Sequence, residues 1–165
     1  MLTFGVLADT HLTSCTPDFM AAAKSAFADC DAIIHAGDLI DVSILQAFGA
    51  KTVYAVHGNS CSVATQRSLP ESITITEQGQ TICVFHGHDG SRLNIEDRLL
   101  ARFPEADCII YGHTHQPLCQ RYGHVLLLNP GSFQGSGRHG APATYGLLHL
   151  HSAGCHGTIH QIQIA

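Results

Sequence analysis

The stretch YGHTH, residues 111–115, sets two imidazoles, His113 and His115, around one threonine directly after the apolar run DCII. The same kind of ending recurs along the chain. ADTH offers Asp9 and His11, HAGDLID offers Asp38, VHGNSC offers Asn59, and CVFHGH offers His86 and His88. Any one of these histidines alone reads as a satisfied structural residue. As a set they supply carboxylate, carboxamide oxygen and imidazole, with no thiolate among them. That mixture suits a borderline or moderately hard divalent ion such as Mn²⁺, Fe²⁺, Ni²⁺ or Zn²⁺ and argues against a cysteine-rich structural zinc site. Asp9, His11, Asp38, Asn59, His86, His113 and His115 exceed the needs of one tetrahedral ion. Two ions sharing a carboxylate is the economical reading.

The elements that must position these groups alternate in the first half of the chain. LTFGVLA reads as a buried strand ending at Asp9. TPDFMAAAKSAFA reads as a helix with Thr16 as N-cap, Pro17 in its first turn and Asp18 facing its positive end. DAIIHA is a second strand, VSILQAFG a short helix stopping at Gly49 with Asp41 at its N-cap, and KTVYAVH a third strand. This order predicts parallel crossover units. In an open α/β sheet, ligands bind beyond the carboxyl ends of the strands, so the candidate groups are delivered to one rim. Gly37, Gly58, Gly87 and Gly112 adjoin them and allow close backbone approach.

Further along, SITITE and TICVF predict a hairpin around Gly79, and NIEDRLLARF a helix capped by Asn94 with Pro104 beyond its end. DCIIYG is another buried strand. PLCQRY, HVLLLN, TYGLLHL and TIHQIQI are short strands expected to form an antiparallel second sheet. The expectation is an α/β protein, an αββα sandwich of two mixed β-sheets with helices on the outer faces, in one domain over residues 1–165.

Composition narrows the function. The chain has 165 residues, is 45% hydrophobic and carries a formal charge of −5 from 13 acidic and 8 basic residues. The basic residues are scattered, so no stable binding to a nucleic-acid duplex is expected. No apolar run approaches the roughly 20 residues of a membrane span. The start has no signal-peptide pattern, and the expected location is the cytoplasm. Seven cysteines form no C-x-x-C pair. They are expected as free thiols, with Cys30, Cys83, Cys108 and Cys119 behaving as small hydrophobes. The 13 histidines are the unusual number, and an interior histidine needs a partner.

DTH, GDLID, GNSC, HGH, GHTH and NPGS, in this order from Asp9 to Ser132, resemble the motif series of the calcineurin-like metallophosphoesterase superfamily. Within it, the small YfcE-type phosphodiesterase branch is the best match. The resemblance implies the two-sheet fold and a dinuclear, metal-dependent phosphoric ester hydrolase. It implies that Asp9, His11, Asp38 and His115 hold a first metal. Asp38 would bridge to a second, completed by Asn59, His86 and His113. It further implies Mn²⁺ first among the ions, in-line attack on phosphorus by a hydroxide bridging the two metals, and a small phosphate-ester substrate, with Asn59 at the substrate. Relatives often pair, so a homodimer is compatible.

One departure stands out. Many relatives carry a histidine acid and an acidic residue in the third motif, where this chain has Ser60 and Cys61. His88 is a candidate replacement as proton donor. Arg138, in the loop after NPGS, is either a contact for substrate phosphate or a solvated loop residue. His35 and His57 lie within strands and are read as core residues or as partners of the ligands. His124, His139, His149, His151, His156 and His160 are read as surface residues, with His149 and His151 alternating onto one face. The alternative function is a non-catalytic protein-interaction scaffold on the same fold, the use made of it by a retromer subunit.

Overall fold

The computed structural model describes residues 1–135 and 141–162. Two five-stranded sheets pack face to face. The first takes the order β10-β9-β1-β2-β3, from strands β1 (Leu2–Leu7), β2 (Ala32–His35), β3 (Thr52–Ala55), β9 (Thr144–His151) and β10 (Gly154–Gln161). The second takes the order β4-β5-β6-β8-β7, from β4 (Ser72–Glu77), β5 (Gln80–Phe85), β6 (Cys108–Ile110), β7 (Leu118–Tyr122) and β8 (Val125–Asn129).

Period-2 alternation explains the layering. Phe4, Val6 and Ala8 of the first segment meet Val84, Ile110 and Leu128 between the sheets. Leu7 turns outward with Ile33, under the helix α1 (Pro17–Ala26), which contributes Phe19 and Ala23. On the opposite outer face the helix α3 (Ile95–Arg102) buries Ile95 and Leu99 against Phe85 and Tyr111. Full burial of a side chain of this size contributes about 1.5–3 kcal/mol.

The caps follow from the chemistry of orphan amides. Thr16 Oγ1 accepts from the Phe19 amide at 3.2 Å, and Asp41 Oδ1 from the Ser43 amide at 2.8 Å, where a 3₁₀ turn begins and runs to Gly49. The β4–β5 turn has positive φ at Gln78 and Gly79, the geometry of a two-residue hairpin. Asn94 stands at the N-cap of α3, but its side chain makes no capping bond; Ser91 caps the preceding 3₁₀ turn instead. The helix α2 (Val63–Ser68) follows Ser62, which accepts from the Thr65 amide. Six residues are too short to show a helical period, so α2 left no signal beyond that serine.

The last four strands do not form a sheet of their own. β7 and β8 join the second sheet, where β8 lies parallel to β6, while β9 and β10 return to the first sheet through the antiparallel β1–β9 pairing. Both sheets are therefore mixed. No described helix is long and apolar enough to cross a membrane. The described cysteines are free, as read from the sequence, but Cys119 is exposed rather than packed.

Candidate metal centre

The loops after β1, β2, β3, β5 and β6 meet at one rim. Asp9 and the His11 loop are bound to the next loop by backbone bonds from the Asp9 amide to the Gly37 carbonyl and from the His11 amide to the Asp38 carbonyl, both 2.9 Å. Asp9, Asp38 and His86 are buried, whereas His11, His113 and His115 are half-buried. Positive φ marks Asp9, His11, Asp38, His113 and His115, and among the described non-glycine residues only Gln78 of the hairpin turn joins them. The left-handed conformation costs a non-glycine residue roughly 1–3 kcal/mol, and such strain collects at functional sites.

Each carboxylate is half committed. Asp9 Oδ2 accepts from the His113 amide at 3.0 Å, and Asp38 Oδ1 accepts from the Ser60 amide at 2.8 Å. The other oxygens face imidazole nitrogens. Asp9 Oδ1 lies 3.2 Å from His115 Nε2, 3.8 Å from His11 Nε2 and 3.9 Å from His86 Nε2. Asp38 Oδ2 lies 3.2 Å from His86 Nε2 and 3.9 Å from His11 Nε2. His11 Nε2 and His115 Nε2 stand 3.2 Å apart. Two groups with metal-ligand spacing result, Asp9–His11–His115 and Asp9–Asp38–His86.

Local chemistry selects the ring nitrogens. His86 Nδ1–H donates to the Ala36 carbonyl at 2.8 Å, which leaves Nε2 as the lone pair. A ligating histidine is normally held this way by its other nitrogen. His86 Nε2 and Asp9 Oδ1 are buried and have no hydrogen-bond partner. Burying such atoms costs free energy unless something pairs them, and a divalent cation with ligand bonds of about 2.0–2.2 Å fits between them. The residues present therefore fit a metal.

Electrostatics points the same way. Burial by itself would raise the Asp38 carboxyl, but His86 beside it and the Ser60 amide outweigh burial and hold it well below the usual carboxylate range. Burial would lower His86, yet Asp38 and Asp9 raise it above an ordinary imidazole. Burial and the neighbouring His86 and Arg92 push His113 down to about 4.

Other candidates stand outside the tight cluster. The His113 ring packs 5.3 Å from that of His86, and its Nε2 accepts from Arg92 Nε at 3.3 Å. Asn59 is exposed on the rim, and its amide donates to Ser60 Oγ at 3.4 Å. His88 lies beside the site, its ring 5.6 Å from that of His86 and 5.9 Å from that of His57. Arg138 falls outside the described residues.

Several residues support the ligands; His35 was read from the sequence as a core residue or a partner, while Asn129 and Ser132 carried no assigned role. His35 is fully buried, accepts from the Gly37 amide at 3.2 Å through Nδ1, and donates from Nε2 to Thr10 Oγ1 at 3.1 Å. Asn129 donates to the Gly112 carbonyl and to Thr114 Oγ1, pinning the loop that bears His113 and His115. Ser132 Oγ donates to the Asp9 carbonyl at 2.9 Å. The NPGS run was the available signal for both. Close approach explains two glycines. A Cβ on Gly58 would overlap Asp38 Oδ1, and one on Gly37 would stand 2.5 Å from His86 Nδ1.

A family model described as the calcineurin-like phosphoesterase superfamily domain matches residues 2–153. A probable metallophosphoesterase of Methanocaldococcus jannaschii is 36% identical over 133 residues, which is 78% of this chain and 66% of that protein. Phosphodiesterase YfcE of Escherichia coli is 34% identical over 104 residues, 60% of this chain and 53% of that one. The chain thus spans between about half and two thirds of the length of these relatives. A solved archaeal phosphodiesterase superposes with a TM-score of 0.75 at 20% identity, over 96% of this chain and 100% of that chain. Vps29 proteins share the fold at 16% to 19% identity.

Proposed function

Because the chain belongs to the calcineurin-like phosphoesterase superfamily, we propose that it hydrolyses a small phosphate ester, foremost a phosphodiester, at a dinuclear divalent-metal centre. The observation that carries this reading is the pair of buried, partnerless atoms, Asp9 Oδ1 and His86 Nε2, inside a ring of carboxylates and imidazoles. Asp9, His11, Asp38 and His115 would hold one ion, and Asp38, His86, His113 and Asn59 the other. Asp38 Oδ2 lies within 3.9 Å of both His11 and His86 and can be shared. Asp9 Oδ1 meets the same condition. Bound ions would supply a water of lowered pKa and neutralise charge on the phosphate. A donor set of oxygen and imidazole nitrogen suits Mn²⁺, with Ni²⁺, Fe²⁺ and Zn²⁺ as alternatives.

The protein's own residues contribute position. The amides of His113 and Ser60 hold one oxygen of each carboxylate and aim the other inward. Ala36 fixes the His86 tautomer. Asn59 on the rim faces the substrate, and Arg92 brings a guanidinium there that suits an anionic oxygen. His88 is the group assigned to the leaving-group proton. Burial, then His86 and His57, lowers its pKa, so less of it carries the proton to be donated at pH 7.

The test is hydrolysis of bis-p-nitrophenyl phosphate by metal-stripped protein, with and without added Mn²⁺, beside Asp38→Asn. Turnover that requires metal and collapses in the variant is expected. Stoichiometric metal binding without turnover under Mn²⁺, Ni²⁺ or Zn²⁺ would sink the enzyme and leave the interaction scaffold.

A further inference from the structure

The outer face of the first sheet changes character along its length. Around Leu7, Ile33 and Leu147 it is apolar and lies under α1. The cover ends at Phe27, whose ring a Cβ on Gly5 would overlap. Past that point the same face of β1, β9 and β10 carries Thr3, His149, His151 and His156. Leu148, Leu150 and Cys155 between them point into the inter-sheet core, so the strands alternate and the histidines stand on the outside.

Register brings these three imidazoles together. His149 and His151 are two residues apart on β9 and share a face. His156 on β10 pairs directly with His149, and Gly154 pairs with His151, so no side chain stands opposite His151. Ring centroids lie 4.8 Å apart for His149 and His156, and 5.5 Å for His151 and His156. Thr3 Oγ1 lies 3.1 Å from His149 Nδ1, which commits that nitrogen and leaves Nε2 for a ligand. His151 and His156 also line an open cleft of about 320 Å³ with Arg121, whose guanidinium donates to the His124 and Cys155 carbonyls.

We propose that His149, His151 and His156 form a second, surface site for a borderline divalent ion such as Zn²⁺, Ni²⁺ or Co²⁺. A histidine pair two apart on one strand, with a third histidine on the adjacent antiparallel strand, can turn three imidazole nitrogens toward one ion and leave further positions to water or a ligand. The rings are stacked in the structure, with interplanar angles of 28° and 9°. Binding therefore requires rotation about the side-chain bonds, which half-exposed rings can make. Thr3 lies on β1 and Asp9 just past its end, six residues further along the chain. That separation is on the order of 20 Å, so the two sites fill independently.

The test compares Zn²⁺ uptake by equilibrium dialysis in the full chain and in a His149→Ala/His156→Ala double variant, at matched far-UV circular dichroism. One bound ion fewer in the variant is the expected result. His151→Ala should lose the same ion, and His160→Ala should keep it. With Co²⁺, the tetrahedral visible bands contributed by the site should vanish in the double variant. Equal uptake and equal spectra in the two proteins would overturn the proposal. The difference does not depend on how many ions the rim cluster takes. Phosphodiester turnover should be unchanged in the double variant, and its absence from both proteins would bear on the esterase reading alone.

Discussion

Asp9 Oδ1 and His86 Nε2 face each other across 3.9 Å of protein interior, and neither has a hydrogen-bond partner. A carboxylate oxygen and an imidazole nitrogen at that separation are too far apart to bond each other and leave room for a cation between them. In Asp9→Asn the buried negative charge beside Asp38 is gone, so the metal-free protein should melt no lower than the parent. The stabilisation by metal should disappear. For the parent, free metal at about 100 times its dissociation constant raises stability by about 2.7 kcal/mol. Thermal melts with and without Mn²⁺ read both effects, and an equal metal-induced rise in the variant would show that Asp9 is no ligand.

Gly58→Ala tests the tight packing behind Asp38. The added methyl would overlap Asp38 Oδ1 and stand 2.7 Å from His86 Cδ2. Accommodating an extra methylene in a packed interior costs about 1–3 kcal/mol. Because the displaced atoms belong to the cluster, metal affinity should fall by about 10- to 100-fold, as for removal of a residue that orients a ligand. Calorimetric titration with Mn²⁺ checks it.

The fully buried His35 is pushed by burial, and next by His86, down to about 3 from an ordinary 6.5. Its folded pKa is lowered, so the unfolded chain binds the extra proton between pH 6.5 and about 3. Stability conferred by the neutral ring is complete above pH 6.5 and is lost as pH falls through that window, at about 1.4 kcal/mol per pH unit for one proton. Denaturant melts of metal-free parent and His35→Gln at pH 7, 6 and 5 should differ in slope by one proton. Parallel slopes would mean that His35 does not titrate on unfolding.

Cys61 Sγ accepts from the Gly58 amide at 3.2 Å, burial raises its thiol pKa, and the Ser60 amide is committed to Asp38. A thiol of raised pKa and an aliphatic hydroxyl are both poor general acids near neutral pH. A positioned general acid contributes about 10²- to 10⁴-fold. Aryl phosphodiesters should therefore exceed alkyl ones by up to about that factor, and the alkyl turnover that His88 sustains should fall further in His88→Ala while aryl turnover holds. Equal rates on both ester classes would reveal another proton donor.

Donor types and their delivery to one rim were legible in the sequence, because hydrophobic periodicity marks where a strand ends and Asp9, Asp38, His86 and His113 follow those ends directly. Caps such as Thr16 and Asp41 were legible for the same local reason. Strand partnership was not. β9 and β10 carry the same alternation whether they pair with β8 or with β1, and only the inter-sheet core decides that Leu148 and Leu150 pack beside Phe4 and Val6. The sequence placed His86 among the ligands and His35 among core residues or their partners, but the bonds that make the difference come from tertiary structure. A bond to Thr10, 25 residues away in sequence, satisfies His35, and His86 points its Nε2 at two carboxylates. The left-handed backbone at Asp9, His11, Asp38, His113 and His115 also lies beyond local reading. No residue of these types prefers it, and it persists because bonds from distant parts of the chain, such as His113 to Asp9 and Asn129 to Gly112, hold it in place.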